Sequence, residues 1–208
     1  MKLIGMLDSP FVRRVAISLR LLGLPFEHAA ISVFRGFEAF EQINPVVKAP
    51  TLVCGDGSVL MDSTLMLAYV EALAGRSLMP RAPAELVREL RLIGLALAAC
   101  EKTAQIVYER GLRPVEKRHE PWIERVSGQL NAAYRELEAE LARQPLPVTQ
   151  GELRQSGISA AVAWTFTQSL LPEVVPAAAH PALVAHAAAC EALPVFRAIP
   201  CDDGVTLA

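Results

Sequence analysis

One stretch limits what this chain can fold into. It runs Asn44-Pro45-Val46-Val47-Lys48-Ala49-Pro50-Thr51-Leu52-Val53-Cys54, then Gly55-Asp56-Gly57, then Ser58-Val59-Leu60-Met61-Asp62-Ser63. Pro50 has no N–H for a sheet ladder, so it belongs at the first residue of a strand or on an edge. It opens the β-prone run 51–54, and the abrupt entry makes Ala49-Pro50 a candidate cis peptide. Asp56-Gly57 between two short apolar runs predicts a β-hairpin. The run 64–73 then predicts a helix capped by Asp62 or Ser63, and the N–H groups of such a start attract anions. A proline loop and a helix N-terminus therefore stand at the two ends of one hairpin. That suits a small, charged, peptide-like ligand. It also suits an ordinary hairpin followed by an ordinary cap.

The residues before the hairpin supply the rest of a small domain. Residues 2–6 predict a strand. Ser9-Pro10 predicts a helix start, with Ser9 as cap and Pro10 in the first turn. Phe11, Val15, Leu19 and Leu22 keep helical spacing over 11–22, and Gly23 suits the C-terminal end. A second strand follows Pro25, and a short helix over 37–43 ends before Asn44-Pro45. The order is βαβαββα. Its βαβ opening implies a right-handed crossover and parallel pairing, and its closing hairpin implies an antiparallel addition, so the sheet is mixed.

After residue 77 the pattern changes. Residues 78–84, with Pro80 and Pro83, form a linker. Beyond it only helical periodicity is found, over 85–110, 121–143, 156–171 and 181–193. The third of these is apolar on every side, which predicts a helix in the middle of a bundle. The predicted division is an α/β domain over 1–77, a linker over 78–84 and an all-α helical bundle over 85–208, with an irregular tail from Pro200.

Composition excludes some function classes. Of the 208 residues 52% are hydrophobic and 20% charged, enough to bury a substantial core. The net charge of −2 argues against a nucleic-acid or anionic-membrane surface. Cys54, Cys100, Cys190 and Cys201 are far apart and show no metal or C-x-x-C spacing, as expected of thiols in a reducing compartment. The four histidines show no metal or triad spacing either. The apolar run in 1–8 is too short for a secretory segment and 92–100 too short to span a bilayer. The expected location is cytoplasmic.

Three motifs together carry a resemblance: Ser9-Pro10-Phe11-Val12-Arg13-Arg14-Val15 after the first strand, Asn44 to Leu52 before the hairpin, and Asp62-Ser63 after it. In this arrangement the chain resembles the glutathione S-transferase superfamily, in the style of bacterial serine-type members similar to the theta, tau and zeta classes. The resemblance covers nearly the whole chain. It implies a thioredoxin-like N-terminal domain that binds glutathione, a helical domain supplying most of a hydrophobic substrate site, a homodimer, and no metal. The implied activity is conjugation of glutathione to a small hydrophobic electrophile. A non-catalytic dimeric interaction protein of the same fold is an alternative, as is a glutathione-dependent peroxidase, isomerase or dehalogenase.

The resemblance also implies roles. A free thiol is mostly protonated near neutrality. A hydroxyl donating to the sulfur at a helix N-terminus stabilises the thiolate, and Ser9 stands at that turn. Ala49, just before Pro50, offers its backbone to the ligand's cysteinyl residue as an added strand would. Ser63 suits the γ-glutamyl carboxylate and Asp62 its ammonium, although many relatives have a longer residue at position 62. Lys48, with Arg35 as a second candidate, suits the glycine carboxylate. Arg13 and Arg14 are read as solvent- or dimer-facing. Tyr108 and Trp164 are the candidates to line the substrate pocket, and for Trp164 a core position is the commoner fate. A capping box is expected to open the buried helix at Ser156, with Ser159 where relatives carry aspartate, so that cap needs a supplement.

Overall fold

The computed structural model describes residues 1–201. The chain divides into two compact units, one holding Met1–Leu78 together with 194–201 and the other Met79–Leu193.

In the first unit β1 (Lys2–Ile4), α1 (Pro10–Leu21), β2 (Glu27–Ala29), α2 (Phe37–Glu41), β3 (Thr51–Val53), β4 (Val59–Met61) and α3 (Ser63–Ala74) follow in the expected order. The strands form one sheet in the order β2-β1-β3-β4. β1 pairs parallel with β2, and the β1–β3 and β3–β4 pairs are antiparallel. This is the mixed, thioredoxin-like sheet, with Leu3, Ile4 and Leu52 fully buried in it. The hairpin turn is tied by its own acid. Asp56 accepts from the N–H and the hydroxyl of Ser58, at 2.9 and 3.0 Å. Those two bonds hold its carboxyl below the usual carboxylate range.

α1 packs on α3 and β1, as its apolar spacing requires. The first unit departs from expectation at its far end. A further short helix, α8 (Pro194–Arg197), packs on α1. Arg13 Nε donates to the Ile199 carbonyl at 2.9 Å, and its guanidinium lies 5.5 Å from the centre of the Phe196 ring. Arg13 is 1% exposed and Arg14 2%, so neither faces solvent as the sequence suggested. The side of α1 that carries Arg13 is covered by chain arriving 186 residues later, which helical periodicity cannot register. The expected tail begins at Pro200, and its residues from 202 on lie outside the described residues.

The second unit is all helical: α4 (Pro83–Leu112), α5 (Glu120–Arg143), α6 (Gln155–Leu170) and α7 (Pro181–Glu191). α6 packs against α4 and α7, and α5 against α4 and α7. α6 is buried continuously from Gln155 to Trp164, as a helix apolar on all sides must be. Against it, Tyr134 of α5 donates its hydroxyl proton to the Ala163 carbonyl at 2.9 Å and sits 2.6 Å from Thr167 Oγ1. Burial pushes that phenol well above its ordinary pKa.

The start of α6 corrects the expected capping box. The helix begins at Gln155, and Arg154 in the cap position makes no side-chain cap bond. Ser156 therefore lies inside the first turn, and the missing carboxylate arrives from α4. Glu89 accepts from the Ser156 N–H at 2.7 Å and from its hydroxyl at 2.9 Å. α7 is started the same way, with Glu138 of α5 accepting from the N–H groups of Ala182 and Leu183 at 2.8 and 2.9 Å. Helix starts inside a bundle leave orphan N–H donors away from water, and a carboxylate from a neighbouring helix satisfies two at once.

Candidate functional site

The first unit brings the β1–α1 turn and the proline loop together through Gly5. Gly5 has φ +134°, and a Cβ there would lie 2.6 Å from Val12 Cγ2 and 3.2 Å from the Ala49 Cβ. Only glycine permits so close an approach of the Ala49 loop to the first turn of α1. Ser9 caps that turn, its Oγ accepting from the Val12 N–H at a long 3.5 Å. A bond of that length leaves the hydroxyl weakly engaged. Ser9 itself is half-buried.

Ala49-Pro50 is a cis peptide, as the abrupt entry into β3 suggested. Two buried residues that the sequence reading did not single out hold the loop in shape. Asn44 Nδ2 donates to Thr51 Oγ1 at 2.8 Å, and that hydroxyl in turn donates to the Lys48 carbonyl at 2.8 Å. Asn44 Oδ1 accepts from the Val46 N–H at 3.1 Å. Val47, with φ +50°, takes a left-handed conformation that a β-branched residue rarely adopts. Lys48 is exposed and Ala49 half-buried. Arg35, exposed in the approach to α2, donates its backbone N–H to Ser32 Oγ at 3.3 Å.

At the other end of the hairpin Asp62, not Ser63, is the cap. Its Oδ1 accepts from the N–H groups of Thr64 and Leu65 at 2.8 and 3.3 Å, and its own φ is +73°. Ser63 is the first helical residue and is 5% exposed. Among the described residues Val47 and Asp62 are the non-glycine positions with positive φ, and each directly precedes a predicted ligand contact, Lys48 or Ser63. Such conformations cost about 1–3 kcal/mol each and persist where the surroundings over-determine them.

The residue that sequence reasoning missed most clearly is Arg14. Its Nη1 donates to Ser63 Oγ at 3.2 Å and to Thr64 Oγ1 at 3.4 Å. The available signal was an arginine pair on a helix whose other residues are mostly apolar.

The two aromatic candidates differ in placement. Trp164 is 5% exposed and packs in the core of the helical unit, edge-on to Tyr134 at 5.4 Å and against His180 at 5.5 Å. Tyr108, near the end of α4, is 45% exposed. His28, His180 and His186 each bond a backbone carbonyl, those of Gly5, Pro176 and Gly157. No helix among the described residues is long and apolar enough to cross a membrane.

Residues 3–78 match the family described as glutathione S-transferase, N-terminal domain. The chain is 28% identical over 173 residues to an uncharacterized GST-like protein, YibF, of Escherichia coli (strain K12), covering 83% of this chain and 85% of that one. Among solved structures it superposes on a glutathione S-transferase from Methylobacterium radiotolerans in complex with glutathione sulfonate. The TM-score there is 0.87 at 25% identity, covering 99% of this chain and 97% of that one. A glutathione transferase family member from Pseudomonas fluorescens Pf-5 with bound glutathione gives a TM-score of 0.79 at 28% identity, covering 95% and 97%. Residues 3–78 therefore belong to the glutathione S-transferase N-terminal domain family, and along nearly its whole length the chain has the glutathione S-transferase fold, mixed sheet and helical bundle together.

Proposed function

We propose that this protein is a glutathione transferase that conjugates the glutathione thiolate to a small hydrophobic electrophile. The observation that carries the proposal is the placement of the two positive-φ residues, Val47 and Asp62, immediately before Lys48 and Ser63. Strained backbone of this kind clusters at ligand clamps and other functional sites, and its presence on both sides of the hairpin supports the reading. The glutathione bound in the Pseudomonas fluorescens relative supports the ligand class.

In this reading Ser9 donates its hydroxyl to the glutathione sulfur and, with the N-terminus of α1, favours the thiolate. Its long bond to the Val12 N–H leaves it available for that task. The Ala49 backbone, turned by the cis-proline, pairs with the cysteinyl residue. Ser63 meets the γ-glutamyl carboxylate. Asp62 caps α3 through Oδ1 alone and offers Oδ2 to the ammonium, which removes the need for a longer side chain there. Lys48, with Arg35 in support, meets the glycine carboxylate. Tyr108 is the candidate wall for the electrophile, and Trp164 supports the helical unit from within its core. The sulfur attacks the electrophilic carbon, the leaving group departs with the bonding pair, and the serine proton stays on its oxygen.

A homodimer is part of the proposal. Leu65, Tyr69 and Leu73 are 66%, 37% and 52% exposed at helical spacing along α3, an apolar stripe that a second copy can cover. The location proposed is cytoplasmic. The test is retention on immobilised glutathione, followed by conjugation of a generic aryl halide by wild type and Ser9→Ala. Retention with a Ser9-dependent rate supports the reading. No binding at millimolar glutathione overturns it. Binding without turnover of any electrophile moves the protein to the interaction-module alternative.

A further inference from the structure

We infer that His28 is a positioning residue for Ser9, acting through the Gly5 carbonyl, where the chain leaves β1 for the Ser9 turn. The inference rests on the glutathione reading and adds a residue to it.

The parallel ladder between β1 and β2 stops one step short. Its bonds advance two residues at a time on each strand. Glu27 donates its N–H to the Met1 carbonyl at 3.0 Å, and Gly5 donates to the Ala29 carbonyl at 3.0 Å. With Ile4 in register with Ala29, the next step would bring the Ile31 N–H to the Gly5 carbonyl. Ile31 instead turns back on its own chain and donates to the Ala29 carbonyl at 2.9 Å. The carbonyl of Gly5, a buried residue, thereby loses its ladder partner. His28 supplies the substitute, with Nε2 2.8 Å from that oxygen. A carbonyl only accepts, so Nε2 carries the hydrogen, as it does in one neutral tautomer and in the cation.

The turn that follows carries Ser9. Ser9 donates its N–H to the Met6 carbonyl at 3.3 Å, and α1 begins at the next residue. The bond from the Val12 N–H to the Ser9 hydroxyl is long at 3.5 Å, so the place of that hydroxyl depends on the backbone beneath it. Gly5 has no Cβ to restrain the peptide that leads into the turn, and its φ is +134°. A donor fixed on β2 removes that freedom by holding the carbonyl in one direction. Satisfying a buried carbonyl is reason enough for some donor there. A donor on a strand adds direction, and the peptide so directed is the one that leads to Ser9.

The experiment follows conjugation of a generic aryl halide by the full-length protein. The ionisation of bound glutathione is read across pH from the ultraviolet absorbance of its thiolate. His28→Leu should lower kcat by about tenfold, keep KM for glutathione within about twofold, and move the thiol ionisation upward, as expected when a group that acts in the transition state is displaced. His28→Gln, whose amide N–H reaches about as far as Nε2, should keep most of the rate. Adding His28→Leu to Ser9→Ala should cost little more, because a displaced hydroxyl and a missing one are nearly equivalent. A lower melting temperature in His28→Leu with kcat and thiol ionisation unchanged overturns the inference. So does a His28→Gln variant as slow as His28→Leu, or a His28→Leu effect as large in Ser9→Ala as in wild type. Should His28→Leu fail to fold, His28→Asn, whose amide is too short to reach, is held to the same outcomes. If wild type binds no glutathione, or Ser9→Ala leaves rate and ionisation unchanged, the Ser9 reading falls and takes this inference with it. If Ser9→Ala acts and His28→Leu does not, the inference alone falls.

Discussion

Glu89 on α4 holds the start of α6 by accepting both the N–H and the hydroxyl of Ser156, at 2.7 and 2.9 Å. A carboxylate from one helix does the work of a local cap on another, across 67 residues of sequence. Glu89→Ala should therefore cost about 1–3 kcal/mol of stability, the range of a lost cap and a lost charge-assisted bond. Glu89→Gln should cost less, since its amide oxygen can still accept one bond. Urea unfolding of the two variants checks the order.

Gly5→Ala should destabilise by about 2 kcal/mol or more, because overpacking adds to an unfavourable backbone conformation. The new Cβ meets Val12 Cγ2 at 2.6 Å, and φ is +134°. Trimming the neighbour, as in Gly5→Ala with Val12→Ala, relieves the contact but not the φ. The double variant should not regain wild-type stability in thermal melts. Full recovery would show that the close approach is the whole effect.

Ser9→Ala should separate catalysis from folding. Its cap bond is long at 3.5 Å, so stability should fall by only about 0.5 kcal/mol, the low end for a cap. The rate of conjugation near neutral pH should fall by about 10- to 100-fold, the scale of one charge-assisted hydrogen bond to the thiolate. The thiol ionisation seen in the pH–rate profile should move upward. A large drop in melting temperature with no change in that profile would return Ser9 to a plain capping role.

His186 predicts an acid-side loss of stability. Burial holds its pKa below the ordinary value of 6.5, and the Gly157 carbonyl at 3.0 Å offsets this only in part. The unfolded chain binds the proton more readily, so the contribution is complete above about pH 6.5 and is lost as pH falls through the lower folded value. Nearby Cys190, 3.5 Å from Nε2, is pushed up to about 12 by burial and stays a thiol throughout. Melting temperatures between pH 8 and 5 should decline for wild type and decline less steeply for His186→Gln.

Much of the first unit was legible because its rules are local. Pro50 cannot join a ladder except at a strand start, Asp56-Gly57 turns a hairpin, and Ser9-Pro10 starts a helix. Each held to within a residue or two. The capping ambiguity at 62–63 was also local, yet residue type could not resolve it, since both aspartate and serine cap helices. Backbone geometry did, with Asp62 at φ +73° and Ser63 already helical. Trp164 could be placed on the most apolar helix from sequence, but only the packing of Tyr134 and His180 around it made it a core residue.

By itself the sequence determined the order of elements in the first unit and the cis-proline loop before its hairpin, because each depends on residues within one turn or one hairpin. The tertiary structure alone decided that Arg13 meets Ile199, that Arg14 supports Ser63 from 49 residues away, and that Glu89 starts α6. A buried charge or an orphan helix donor takes its partner from whichever side chain the packing brings near, and packing is not written in the spacing of any one helix.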